Sequence, residues 1–273
     1  MFVNIEDEVC RLGSEGLTRV FRDTLACTRG IELEIVPSKR GGDPKAENHP
    51  ASTVGLPWRK PVIQIADSLQ DNERTEAISH EIGHLLLVYR FGLGLVGRRM
   101  PHPCDMEEIC YYLLGMGQHW DYLLGQVINT AHHLILIDYL REEYGIGSNF
   151  HLHLLHRHFE ELAREAYEDR ESLFAQGLIT FEYQRLGGDV GEIAPLNSPR
   201  GEILQSYLAA QRHFDRYHSK TIPSPSAYRK DIFSFLEDLG YPKEEFVFFQ
   251  ARTQKGGQDA RTNGRWFQER PSV

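Results

Sequence analysis

The spacing of apolar residues predicts mostly helices, with a few strands in the first quarter of the chain. Apolar positions recur at helical intervals over residues 5–27, with an interruption expected near Gly13 to Gly16. Alternating apolar and polar residues predict strands at 31–36 and 61–67. The polar stretch between them, 38–60, contains glycine and proline and is expected to be a loop.

After residue 70 the pattern is almost entirely helical. Asp71 or Asn72 is suited to cap a helix that runs to about Arg90. Further helices are predicted over 105–115, 118–144, 149–175, 201–217 and 225–239. The fold class predicted from this order is α+β and predominantly helical, with a small sheet and a helical C-terminal part.

The segment from Gly177 to Gly201 is rich in glycine and proline and is expected to connect two parts of the chain. We therefore predict a larger N-terminal domain over 1–195 and a smaller helical subdomain over 196–273. The polar residues near the C-terminus are expected to form a mobile tail of that subdomain.

Composition narrows the classes of function. A 273-residue chain with 41% hydrophobic residues can bury a sizeable core. Its net charge of −9 argues against nucleic-acid or anionic-membrane partners. The sequence has neither a signal-peptide pattern nor an apolar run of about 18 residues, so we expect a cytoplasmic protein. The four cysteines form no CxxC pair, which argues against a cysteine zinc site or a disulfide framework.

The stretch from 77 to 87 carries the most specific chemistry, with the sequence AISHEIGHLLL. On a helix His80 and His84 lie side by side, about 6 Å apart at their base, so both imidazoles can bind one zinc. Glu81 is turned about 100° from His80 and is suited to activate a water on the metal. The flanking residues are mostly apolar, as expected for a buried helix. Gly83 lowers helix propensity by about 1 kcal/mol, which predicts a closely packed neighbour at that turn.

The sequence SHEIGHLLL resembles the active-site helix of the zincin metallopeptidases, and the preceding PVIQIAD is similar in position to a strand of their short sheet. The resemblance spans about residues 31–140. It implies a zincin-like fold with a small sheet packed on the active-site helix. It also implies zinc ligation by His80 and His84, with Glu81 as the general base. The implied substrate is a peptide or protein held along an edge strand, expected near Ile63 to Ala66.

A catalytic zinc usually takes three protein ligands, and no third histidine follows six residues after His84. The apolar helix predicted over 118–144 contains polar residues that need partners. Asn129 and His133 share a face of this helix, and their spacing is similar to an Asn-x-x-x-ligand motif of some minor zincin families. We therefore predict His133 as the third ligand.

Several other residues compete for that position. His132 shares a face with Asp121 and Gly125 and is the first alternative. Glu108, or its neighbour Glu107, suits a glutamate-type zincin, and Asp138 is a further candidate.

Four histidines follow within eight residues, and we expect most of them on a helix surface rather than at a second metal site. One of them, or one of three residues before 120, would supply a hydrogen bond to the oxyanion of peptide hydrolysis. These candidates are His151, His153, His156, His158, Tyr111, Tyr112 and His119.

The sequence thus predicts a zinc-dependent metallopeptidase. The alternative is a zincin-like protein without catalysis that binds metal or regulates a partner, and a helical interaction domain without metal is a third possibility. Retention of Glu81 favours the enzyme, because a structural metal site needs no general base.

Overall fold

The computed structural model describes residues 1–28, 30–37, 50–54, 60–99, 122–164, 169–188, 201–251 and 266–268. Its helices are α1 (Ile5–Leu12), α2 (Glu15–Leu25), α3 (Asp71–Phe91), α4 (Tyr122–Tyr144), α5 (Asn149–Arg164), α6 (Arg170–Arg185), α7 (Gly201–Phe214) and α8 (Pro225–Asp238). Its strands are β1 (Phe2–Val3), β2 (Glu32–Val36), β3 (Ala51–Val54), β4 (Val62–Ala66), β5 (Leu95–Arg98), β6 (Phe246–Ala251) and β7 (Trp266–Gln268). The predicted α+β class with predominant helix is confirmed.

The chain divides into two compact units, each built from stretches distant in sequence. The first contains 1–93, 136–151 and 250–267, and the second contains 94–135, 152–249 and 268–273. Helix α4 is continuous through the division, which falls between residues 135 and 136. The predicted domain boundary at 195 lies outside the described residues and stays a prediction. Among the described residues, no helix has the length and apolar character needed to cross a bilayer.

The first unit contains a four-stranded mixed sheet in the order β1-β2-β4-β3. Strands β2 and β4 are parallel, and the two outer pairs are antiparallel. Leu33, Ile63 and Ile65 are fully buried, which is why the alternating pattern of these two strands was readable in the sequence. Helix α3 lies against β3 and β4. The sheet is therefore packed on the helix that carries the HExxH motif.

The edge of this sheet differs from the prediction. The edge strand was expected near Ile63 to Ala66, but β4 is paired on both sides. The edge strands of the described sheet are β1 and β3, and β3 lies inside the predicted loop 38–60. Its sequence, ASTV, has no apolar alternation, and pairing with β4 from Ala51↔Ile65 to Val54↔Val62 imposes its extended conformation.

Helix boundaries in the first unit follow local capping. Gly13, at φ 64°, ends α1, and Ser14 Oγ accepts a hydrogen bond from the Leu17 N–H at 3.3 Å, so the predicted interruption is confirmed. Helix α3 is capped one residue earlier than expected. Its N-cap is Gln70, whose N–H donates to Glu73 Oε2 at 3.0 Å, rather than Asp71 or Asn72.

The prediction of a single helix over 149–175 is wrong. Helix α5 ends at Arg164, and Asp169 begins α6 by accepting a hydrogen bond from the Ser172 N–H at 2.8 Å. Helix α6 continues to Arg185, through residues that were expected to belong to a connection. Gly177 permits close packing there, since a Cβ would lie 2.3 Å from the Ile203 carbonyl oxygen of α7.

The last two helices of the second unit follow the sequence prediction. Helices α7 and α8 match the predictions over 201–217 and 225–239 to within a few residues. Strand β6 pairs antiparallel with β5, with Val96 opposite Phe248. The helix predicted over 105–115 and most of the predicted tail lie outside the described residues.

A charged cluster joins α1 to α3 in the first unit. Glu8 is 8% exposed, and its carboxylate accepts hydrogen bonds from Arg11 Nη2 at 2.8 Å and from Arg74 Nη1 at 3.2 Å. The hydrogen bond from Arg11 lowers the pKa of Glu8, burial opposes that shift, and the bond from Arg74 adds to the lowering. Glu8 thereby connects α1 to the first half of the HExxH helix.

We predict that Glu8→Gln lowers the free energy of unfolding at pH 7 by about 1 kcal/mol. Because the folded-state pKa is depressed, this contribution is present above the unfolded pKa of about 4.3 and is lost as the pH falls through the folded value. Urea unfolding of both proteins from pH 7 down to about pH 2 checks this, with exposed Glu6→Gln as the control. A difference that does not narrow toward low pH would contradict the prediction.

Close packing at Gly83 was predicted from the sequence and is confirmed. A Cβ at Gly83 would lie 2.3 Å from Leu136 Cδ1 on the C-terminal half of α4. Leu136 is fully buried and has little room to move. Helices α3 and α4 therefore touch directly at the turn between His80 and His84.

We predict that Gly83→Ala destabilises the protein by about 1–3 kcal/mol, because the added methyl group overpacks this contact. At an exposed helical position the same change would stabilise by about 1 kcal/mol. In a Leu136→Val background the cost of Gly83→Ala should be smaller, since the branch that it meets is shortened. Thermal unfolding of the wild type, the two single variants and the double variant measures the coupling between the two positions. If the two substitutions change the stability independently of each other, the contact is contradicted.

Candidate active site

Helix α3 brings the first two predicted ligands together. His80 Nε2 and His84 Nε2 are 3.1 Å apart, with ring centroids separated by 4.8 Å and ring planes at 78°. Two nitrogens bound to one tetrahedral zinc at its usual bond length lie about 3.3 Å apart. The separation of the two rings thus matches that of ligands to a single ion.

Glu81 is held from the neighbouring strand. Its side chain is 8% exposed, and Thr53 Oγ1 donates a hydrogen bond to Oε2 at 2.6 Å. Thr53 lies on β3, so the edge of the sheet orients the carboxylate of the motif. Thr53 was not predicted as a site residue, because it lies in a stretch that was expected to be a loop.

His151 is the member of the histidine-rich segment that lies next to the motif. Its ring stacks on that of His80, with centroids 4.3 Å apart and planes at 19°. Glu76, one turn before His80, accepts a hydrogen bond from the Phe150 N–H at 2.8 Å. Helix α3 therefore anchors the start of α5 beside its own first histidine.

The other histidines of α5 have different surroundings. His153 is exposed. His156 Nδ1 is 2.6 Å from the Tyr183 hydroxyl, and His158 Nε2 is 3.2 Å from the Tyr122 hydroxyl. Neither of these two contacts involves the HExxH residues.

His133 lies on α4 and is 8% exposed. Its Nδ1 is 2.6 Å from Glu182 Oε1 on α6. From the sequence, His133 was expected to share a face with Asn129 of the same helix. The contact of His133 with Glu182 instead joins it to a residue 49 positions further along the chain. Glu182 was not foreseen, because it lies in the predicted connection.

The alternatives to His133 as third ligand have other contacts or lie outside the described residues. His132 is 1% exposed, and its ring is tilted against Tyr228 at a centroid distance of 5.8 Å. Asp138 is bonded to Arg141 on the same helix. Glu107, Glu108, Tyr111, Tyr112 and His119 lie outside the described residues, as do Asp121 and the start of the predicted helix 118–144.

Within the first unit, three imidazoles lie close enough together to suit a metal ion. Ring nitrogens of His80 and His151 lie within 4.8 Å of each other. The Nε2 atoms of His80 and His84 are 3.1 Å apart. His133 belongs to the second unit, and its role as the third ligand stays a prediction. Neutral imidazole nitrogens are common ligands of zinc and of other transition metals.

Comparisons of this chain with protein-family models, with curated proteins and with solved structures found no match. Functional inference therefore rests on the residues of the site and on the resemblance of the motif.

We predict that Thr53→Val lowers the free energy of unfolding by about 1–2 kcal/mol, because it removes a hydrogen bond to a buried carboxylate while keeping the branched shape. Thr53→Ser keeps the hydroxyl and should cost less. The effect of Thr53→Val should also shrink in a Glu81→Gln background, where the charged acceptor is absent. Denaturant unfolding of this double-mutant cycle is the measurement, and full additivity would be the contrary result.

Proposed function

We propose that this protein is a zinc-dependent metallopeptidase that hydrolyses peptide bonds with Glu81 as general base. The observation that carries the proposal is the HExxH turn of α3, where the Nε2 atoms of His80 and His84 are 3.1 Å apart. The adjacent Glu81 carboxylate is oriented by Thr53. Two converging imidazoles beside an oriented carboxylate are the parts that metal-assisted hydrolysis requires.

In this proposal His80, His84 and His133 hold the zinc ion. His133 is the third ligand that the sequence predicts, and the contact of its Nδ1 with Glu182 makes Nε2 the nitrogen that would bind the metal. His151, whose ring stacks on that of His80, is the competing donor. A bound zinc supplies Lewis acidity to the attacking water and to the scissile carbonyl.

The protein's own residues supply the proton transfers and the substrate alignment. Glu81 takes the proton of the attacking water and delivers it to the leaving amine. Thr53 holds the carboxylate in place through both steps. An extended peptide would add to the edge of β3 through backbone hydrogen bonds, which brings it alongside Thr53 and Glu81.

One observation favours a second candidate, a zincin-like metal-binding or regulatory protein without catalysis. In the first unit, His84 and His151 each place a ring nitrogen near one of His80. If these three histidines and His133 all bind the ion, the tetrahedral shell is closed and has no position for water, as in structural zinc sites.

We predict that the purified protein binds about one zinc and that a chelator abolishes its cleavage of a peptide library. Glu81→Gln should retain the zinc and lose about 10²–10⁴-fold in rate, because the general base is removed. His80→Ala should lose the metal as well. Elemental analysis and mass spectrometry of the digests are the measurements, with Glu73→Gln on the same helix as the matched control.

Cleavage that persists at the same rate in Glu81→Gln or in metal-free protein would rule out this mechanism. Zinc bound by four histidines in the X-ray absorption spectrum, without cleavage, would favour the regulatory candidate.

A further inference from the structure

Glu182 is a fully buried carboxylate at the centre of a polar cluster in the second unit. Its Oε1 is 2.6 Å from His133 Nδ1. Its Oε2 accepts hydrogen bonds from Thr130 Oγ1 at 2.7 Å and from Gln126 Nε2 at 3.2 Å. The Gln126 amide also donates to Thr130 Oγ1 at 3.1 Å, so the donors are connected to one another.

Three partners of Glu182 lie on one face of α4. Gln126, Thr130 and His133 follow at i, i+4 and i+7, the spacing of successive turns on the same side of a helix. Two of them hold Oε2, which directs Oε1 toward the imidazole. The cluster thus orients one carboxylate oxygen toward one ring nitrogen.

This contact bears on which nitrogen of His133 would bind a metal. An ionised carboxylate only accepts hydrogen bonds, so an ionised Glu182 would accept from Nδ1–H, and the lone pair of the ring would then lie on Nε2. Metal-binding histidines characteristically donate their other N–H to a carboxylate or a carbonyl, which fixes the ring and raises its basicity. The 2.6 Å distance from Glu182 Oε1 to His133 Nδ1 suits that arrangement.

We propose that Glu182 is a positioning residue that holds His133 with Nε2 presented to a divalent metal cation. The proposal rests on the metal site of the proposed function and extends it with a residue from a different helix. Glu182 touches neither substrate nor metal and acts through His133. Thr130 and Gln126 act in turn by orienting Glu182.

The first test uses the wild-type protein and no substitution at Glu182. Long-range proton–nitrogen NMR of the metal-free protein should show the Nδ1–H tautomer for His133, assigned by comparison with His133→Gln. Addition of zinc should shift the Nε2 resonance of the same ring. An Nε2–H tautomer, or a resonance that zinc does not move, would overturn the proposal.

The second test measures zinc affinity by competition with a chromophoric chelator. Glu182→Gln should weaken zinc binding about 10–100-fold. Asp231→Asn is the matched control: Asp231 is a buried carboxylate of the same unit that accepts hydrogen bonds from Arg216 and Tyr217. That control should affect unfolding and leave zinc affinity unchanged.

A double-mutant cycle separates positioning from general loss of structure. In a His133→Ala background, Glu182→Gln should have little further effect on zinc affinity, because the ring through which it acts is missing. An equal effect in both backgrounds would overturn the proposal. If Glu182→Gln does not fold, Glu182→Asp and the wild-type NMR measurement decide the question.

The outcomes also separate this proposal from the proposed function. Wild-type protein that binds no zinc would overturn both. Wild-type protein that binds zinc and cleaves peptides, with undiminished affinity in Glu182→Gln, would overturn only the role of Glu182.

Discussion

The direct contact of α3 with the C-terminal half of α4 is the constraint on which the site depends. It exists because Gly83 has no side chain, and Leu136 occupies the space that a Cβ would need. The glycine lies between His80 and His84, so the turn that carries the histidines is also the turn at which the helices touch.

Each unit contains a buried carboxylate that is oriented by a short hydrogen bond from a threonine hydroxyl. Thr53 donates to Glu81 in the first unit, and Thr130 donates to Glu182 in the second. A hydroxyl fixes the direction of a carboxylate without cancelling its charge, unlike an ion pair with arginine. That property suits a group that must accept a proton, as Glu81 would, or polarise an imidazole, as Glu182 would.

The sequence predicted those parts of the fold that are encoded locally. Strands β2 and β4 were recognisable because Leu33, Ile63 and Ile65 alternate with more exposed neighbours. The motif helix and the close neighbour of Gly83 followed from residue types in one short stretch. Strand β3 was missed, because its conformation comes from pairing with β4 and not from its own residues.

The second unit shows the same limit more clearly. The cap at Asp169 divides what was read as a single helix, and the glycines after 177 made a buried helix look like a connection. Glu182 was therefore treated as a connecting residue. Its contact with His133 joins residues 49 positions apart, and no local pattern carries that information.

The hydrogen bond from Phe150 to Glu76 has a mechanical consequence for the rings beside it. Glu76 precedes His80 by one turn, so a single rigid rod carries both the His80 imidazole and the anchor of the backbone next to His151. The ring stack and this hydrogen bond hold the same short stretch at the start of α5, one through a side chain and the other through the backbone. The relative placement of the two imidazoles is thus set within the first unit by two independent contacts to one helix.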